Sequence, residues 1–287
     1  MQPATTRAVI VNADDFGQSA GVNRGVVEAH ERGIVTSASL MVRWPAATAA
    51  ASYARTQPRL SVGLHVDLGE SIHRNGEWIA LYERVDREDA CAVEAEIRAQ
   101  VVLCRELLQR DPTHLDSHQH VHTEEPARSL LEGIARELGV PLRHYSRQVR
   151  HDGRFYGQLR TGEPFAAGIT AAHLVDMLRG LADGVTEVAC HPGFVDDLDT
   201  MYGRERQLEV EALCDPAVRQ ALRARYVAPI STHSSAGSGK YDVVPSTSPV
   251  WASSCANGTR RPAACHSSAL ETTSSICSRV SARGRLR

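Results

Sequence analysis

Along the first 225 residues, short apolar runs alternate with longer stretches whose apolar positions recur every three or four residues. The apolar run Ala8-Val9-Ile10-Val11 predicts a strand over 7–13. Ser19 suits the cap of a helix that runs to about Arg32, where Gly33 stops it. A second strand is expected over 36–42 and an alanine-rich helix over 46–55. Residues 61–68 alternate strictly, with Val62, Leu64, Val66 and Leu68 on one side and Gly63, His65 and Asp67 on the other. Further along, the same reading predicts helices over 87–110, 126–138, 170–182 and 203–225 and strands over 113–120, 142–146 and 186–191. Residues 147–168, rich in Gly and aromatic side chains, read as a long excursion.

Repeated strand–helix units imply parallel strands covered by helices. Doubly wound sheets and (β/α) barrels both satisfy that pattern. No Gly-x-Gly-x-x-Gly follows the first strand, which weakens a dinucleotide-binding version. The polar clusters sit where strands end, and a barrel builds its site at the C-terminal ends of its strands. The expected fold is therefore α/β, a variant TIM-barrel-like (β/α) barrel with outer helices.

The pattern stops at Tyr226. Beyond it, Ser, Thr, Ala, Arg and Cys dominate, and the acids Asp242 and Glu271 face Lys240 and six arginines. Such a composition buries too little apolar surface to offset chain entropy. The expected division is a catalytic domain over 1–225 and a low-complexity tail over 226–287, disordered or of the kind a frameshift leaves. The barrel is then expected to be incomplete or distorted at its C-terminal end. Only 226–230 offers a closing strand, and Pro229 argues against a central one. Without it, the first and sixth strands would face each other with unpaired edges.

Composition narrows the class further. The chain has 287 residues and a net charge of −2, so nothing in the total suggests nucleic acid or an acidic membrane as partner. No basic leader with a following apolar run opens the sequence, and no stretch approaches the roughly 20 apolar residues of a membrane helix. A cytoplasmic enzyme is the expectation. The seven cysteines include no Cys-x-x-Cys pair, and Cys91, Cys104 and Cys190 read as reduced, buried thiols.

Four polar clusters carry the candidate chemistry. Asp14 and Asp15 end the first strand; His65 lies near the end of the third. His114-Leu115-Asp116-Ser117-His118-Gln119-His120-Val121-His122 places four histidines in nine residues, and His191 enters a Pro-Gly turn after the sixth strand. In an extended chain Asp116, His118 and His120 would share one face. Taken singly, the paired aspartates read equally as a turn or cap, and His65 as a hydrogen-bonded structural residue. Together, carboxylates and imidazoles from four strand ends suit a catalytic divalent metal with open positions for water. A second carboxylate could take a proton, and a histidine could protonate a leaving group.

Asn-Ala-Asp-Asp-Phe-Gly (12–17), Gly-Ile-Val-Thr-Ser-Ala-Ser (33–39), Gly-Leu-His (63–65), the histidine-rich stretch 114–122, Phe-Tyr-Gly (155–157), Gly-Val-Thr-Glu-Val (184–188) and Cys-His-Pro-Gly-Phe (190–194) together resemble the YdjC-like (ChbG-like) carbohydrate deacetylases. The resemblance spans about 8–225. It implies a variant (β/α) barrel, often dimeric, that removes acetyl groups from N-acetylglucosamine units of short oligosaccharides. It further implies one divalent metal, zinc or magnesium with manganese as a third choice, held by Asp15, His65 and His118. Asp14 would then be the general base and His191 the general acid. His120, Arg143 and Tyr156 would line the sugar pocket, although Tyr156 reads equally as packing and Arg143 as a structural ion pair. Two other classes stay open: a metal-dependent hydrolase of another amide or a phosphoester, and a sugar-binding protein without catalysis.

Overall fold

The structure is a computed structural model and describes residues 7–74, 76–194, 197–198, 200–224, 228–231 and 242–243. The chain divides into one unit over Met1–Ser246 and a second over Thr247–Arg287; all that follows concerns the first. Most of the expected tail, 226–287, lies outside the described residues.

Six parallel strands curl into an incomplete (β/α) barrel. They are β1 (Arg7–Phe16), β2 (Ser37–Leu40), β3 (Ser61–Val66), β6 (Leu115–Ser117), β7 (Val149–Asp152) and β8 (Gly184–Cys190). Pairing runs β6–β3–β2–β1–β8–β7, parallel throughout. Strands covered on both faces read as continuous apolar runs, and all of β1 except Arg7 is buried. The core gathers Val9, Val11, Phe16, Leu40, Val62, Leu64, Leu115 and Val188 with the inner faces of the helices.

The helices are α1 (Ala20–Glu31), α2 (Ala47–Thr56), α3 (Ala90–Leu108), α4 (Ala127–Leu138), α5 (Ala171–Arg179), α6 (Arg204–Cys214) and α7 (Pro216–Ala224). Side chains close the N-termini of three: Ser19 accepts from the Val22 amide, Asp89 from Cys91 and Ala92, and Thr170 from His173. None of the helices of the described residues is long and apolar enough to cross a membrane.

Several expectations need correction. The first and sixth strands do not lack partners: β1 and β8 pair directly from Arg7↔Gly184 to Ala13↔Cys190. A further strand, β9 (Ala228–Ser231), pairs Ala8 and Val9 on the other edge of β1, and β10 (Asp242–Val243) pairs antiparallel with β9. The barrel instead opens between β6 and β7. There the expected strand over 142–146 shrinks to one bridge, Leu115↔Leu142, because the chain turns at once with the Tyr145 and Ser146 amides bonded to the Leu142 carbonyl. The strand proper comes later, as β7, inside the expected excursion. The helices expected over 203–225 are α6 and α7, and they divide at Asp215, which is extended because Pro216 follows it and opens α7. Cys104 and Cys190 are buried free thiols, but Cys91 is exposed in the first turn of α3.

The sequence pattern also missed an antiparallel hairpin, β4 (Gly69–Arg74) with β5 (Glu77–Glu83), between β3 and α3. Its strands stand outside the barrel, so Trp78, Ile79 and Leu81 are exposed.

Candidate metal centre and active site

Strand ends and the loops after them assemble the site. Adjacent strand residues ordinarily point to opposite faces, so Asp14 and Asp15 need a break in the pleat to serve one site. β1 supplies it: its register with β2 slips between Ala13 and Phe16, and Asp15 is left-handed at φ 63°. His65 and Asp116 are direct register partners on β3 and β6. His65 Nδ1 lies 2.7 Å from Asp116 Oδ1, which leaves its Nε2 3.4 Å from Asp15 Oδ1. His118 Nδ1 lies 3.0 Å from the same Asp15 oxygen.

Asp15, His65 and His118 thus bring one carboxylate and two imidazoles within 4.8 Å of one another. Asp15 and His65 are buried, and the His118 side chain is nearly so. The set fits a divalent ion on three counts. It mixes N and O donors. The His65 ring is fixed from behind by a carboxylate, as metal-binding histidines usually are. His118 Nε2 is buried without a hydrogen-bond partner among the described residues, and the Glu70 carboxylate of β4 lies 3.8 Å away.

Two arginines hold the two aspartates ionised, one each. Arg143 donates to both oxygens of Asp14, at 2.7 and 2.8 Å, and also reaches Asp116 at 2.8 Å and Glu187 at 2.8 Å. Burial is the largest influence and would raise the Asp14 pKa, but the Arg143 charge, the Arg143 hydrogen bonds and the nearby His65 together hold the carboxyl at about 2. Arg206 of α6 donates to Asp15 Oδ2 at 2.7 Å. Against burial, the Arg206 and His118 charges keep Asp15 well below the usual range. Asn12 donates at 2.7 Å to both Asp14 and Ser39, and Ser39 donates to Asp116 at 2.6 Å, so the acids are bonded into one network.

His191 follows β8 and places Nε2 3.8 Å from Asp14 Oδ2. Its amide donates to Glu209, and its Nδ1 has no partner among the described residues. Burial pushes its pKa down to about 4 against the pull of Asp14 and Asp15. The Pro192-Gly193 turn is pressed onto α1, where a Cβ on Gly25 would stand 2.4 Å from Gly193 Cα. Tyr156 is 38% exposed, stacked on Tyr202 at 5.1 Å and edge-on to His191 at 5.4 Å.

Five of the expected site residues therefore meet: Asp14, Asp15, His65, His118 and His191. Tyr156 flanks them. Arg143 is buried behind the cluster, its guanidinium taken by three carboxylates. His120 does not share a face with Asp116 and His118. β6 ends at Ser117, and Gln119 and His120 adopt left-handed backbone, φ 50° and 55°, which turns His120 away toward His122 and His144.

A sequence model of the family described as YdjC-like protein matches residues 8–224. The chain belongs to the YdjC-like family. Among its relatives, a carbohydrate deacetylase of Geobacillus stearothermophilus is 33% identical over 77% of this chain and 95% of that protein. A chitooligosaccharide deacetylase of Klebsiella pneumoniae strain 342 is 34% identical over 76% of this chain and 95% of its own length. A crystal structure from Enterococcus faecalis V583, assigned provisionally to cellobiose-phosphate cleavage, superposes with a TM-score of 0.64 at 25% identity, covering 79% of this chain and 98% of that one. The catalytic domain of a peptidoglycan N-acetylglucosamine deacetylase from Eubacterium rectale shares the fold, at a TM-score of 0.51 and 10% identity. The site just described lies wholly within the YdjC-like region.

Proposed function

We propose that this YdjC-like protein is a metal-dependent hydrolase that removes the acetyl group from N-acetylglucosamine units of short oligosaccharides. The observation that carries the reading is the flanking of Asp15, His65 and His118 by a second carboxylate, Asp14, which Arg143 and Asn12 hold in place, and an imidazole, His191, whose Nε2 stands 3.8 Å from it. The names of the relatives supply the substrate class.

Asp15, His65 and His118 would hold the ion, which the N/O donor set lets be zinc, magnesium or manganese. When bound, such an ion polarises an amide carbonyl and acidifies water. Asp14 is ionised throughout the neutral range and accepts the proton of the attacking water at a carboxylate oxygen. His191 is uncharged in the free site, so it takes up a proton during turnover; the gap to Asp14 Oδ2 is the route. From its Nε2 that proton goes to the departing sugar amine, and acetate leaves as the other product. Tyr156, beside His191, offers an aromatic face to a sugar ring.

The test is acetate release from a panel of N-acetylglucosamine oligomers, other N-acyl amides and phosphoesters, with and without added divalent metal. Metal-stimulated acetate and free amino sugar from the oligomers alone support the reading. Turnover of a phosphoester instead, or sugar binding with no acetate under any metal, overturns it.

A further inference from the structure

The barrel contains a second histidine cluster, and the reaction proposed above does not use it. His120 and His122 lie in the short 3₁₀ turn His118–Thr123 that follows β6. His144 lies in the turn that replaces the expected fifth strand. We propose that His120, His122 and His144 form a second metal site, selective for a borderline transition ion such as zinc, nickel or copper(II), that clasps the open seam between β6 and β7.

Geometry carries this assignment. One nitrogen from each of the three rings lies within 4.8 Å of the others. His122 Nε2 and His144 Nδ1 are 2.9 Å apart, in rings tilted by only 20°. Two neutral imidazoles facing each other share one proton at that distance. An ion with metal–nitrogen bonds of about 2 Å sets neighbouring ligand nitrogens about 3 Å apart, so it takes the place of that proton, which moves to the far nitrogen of the His144 ring, Nε2, and leaves both imidazoles neutral. The far side of His122 is prepared for this: Nδ1 lies 2.6 Å from Ser117 Oγ, which can accept its proton and leave the Nε2 lone pair to the cluster.

The backbone agrees. His120 at φ 55° and His144 at φ 68° are left-handed without being glycine. Such conformations persist where something repays them, and they cluster at ligand sites. His151 of β7 completes the packing, 4.5 Å from His144 and 5.9 Å from His120, with its Nδ1 buried and 3.8 Å from the Glu187 carboxylate. The ion would therefore tie the turn after β6 to the turn that stands in for a strand, and His151 would back it from the other side of the opening. Three imidazoles without a carboxylate disfavour magnesium and calcium, which need oxygen. His120 and His144 are exposed, so the ion can enter from solution.

The experiment titrates the full-length chain, stripped with a chelator, with zinc alone and counts bound equivalents by calorimetry and elemental analysis. Two equivalents are expected for the wild type. His144→Ala should bind one, His118→Ala one, and the double variant none. Copper(II) bound to His118→Ala should show hyperfine coupling to several imidazole nitrogens, lost in His118→Ala/His144→Ala. Far-UV circular dichroism separates loss of ligand from loss of fold, and His144→Asn serves as the milder variant. A single equivalent in the wild type that survives His144→Ala overturns the second site. A single equivalent lost in His144→Ala but kept in His118→Ala upholds it and removes the first site instead.

Discussion

Two histidine groups lie within one short stretch of this barrel, and their surroundings set them to different chemistry. His118 joins His65 beside three buried carboxylates, Asp14, Asp15 and Asp116, whose charge Arg143 and Arg206 offset. His120 and His122 turn instead toward His144 and His151, where the facing groups are imidazoles and half the cluster is open to solvent. The first group has the mixed donors and proton carriers that hydrolysis needs. The second has the uniform nitrogen donors that suit only a borderline ion. What separates them is two left-handed residues, Gln119 and His120, with only His118 between them and the end of β6.

The sharpest way to break the comparison is to empty one group and leave the other. His118→Ala should remove stoichiometric metal from the carboxylate-rich site and reduce acetate release to background. Asp14→Asn should keep that metal, because Asp14 is outside the ligand set, and lower turnover by about 10²- to 10⁴-fold. Elemental analysis beside kinetics checks both; an emptied site in Asp14→Asn would mean that the two aspartates exchange roles.

Next in size is a stability effect confined to the charged group. Arg143→Leu leaves Asp14, Asp116 and Glu187 buried without their shared counter-ion, which should cost about 3–5 kcal/mol. The pH dependence sharpens it. Asp14 and Glu187 sit at about 2, burial being outweighed by Arg143 together with His65 at Asp14 and His151 at Glu187. A carboxyl depressed in the folded state stabilises fully above its unfolded pKa and loses that contribution as pH falls through the folded value. The metal-free wild type should therefore lose stability from about pH 4.5 toward 2, and the gap to Arg143→Leu should narrow over that window. A gap that stays constant in thermal melts would mean that Arg143 is not what holds these acids ionised.

A smaller effect tests position rather than charge. Gly25→Ala should force α1 and the Pro192-Gly193 turn apart and shift His191, lowering kcat by about ten- to a hundredfold with metal content unchanged. Smallest of all, a chain ending at Ser246 should keep both metal stoichiometry and turnover, since every site residue lies between Asp14 and Glu209. Loss of either would make Thr247–Arg287 part of the working enzyme.

Much of this was legible in the sequence because it depends on local pattern. The apolar run 8–11 and the run before His191 became the paired strands β1 and β8, and Asp14, Asp15, His65, His118 and His191 met as the motifs implied. What stayed hidden depends on distant partners or on single backbone angles. Glu187 reads as one polar residue on a strand, and nothing local says that Arg143 waits opposite it. Arg206 is one of many arginines until α6 folds back onto Asp15. The expected strand over 142–146 failed because Leu142 is apolar in isolation while His144 at φ 68° bends the chain away. Period-two reading carried His120 onto the face of His118 for the same reason. The β4–β5 hairpin escaped because Trp78, Ile79 and Leu81 of β5 face solvent, the reverse of the pattern that betrays a strand.

The direct pairing of β1 with β8 has a consequence for how the chain is made. Synthesis delivers Arg7–Phe16 early, yet one edge of that strand finds its partner only when Gly184–Cys190 has left the ribosome. At about 5–20 residues per second, β1 waits on the order of ten seconds or more with that edge bare. The contact is among the longest loops the barrel closes, so its entropy cost falls late in folding. Asp14 and Asp15 ride on that strand, and Arg206 is still further downstream. A nascent chain therefore carries its paired acids long before it holds the arginine that neutralises one of them.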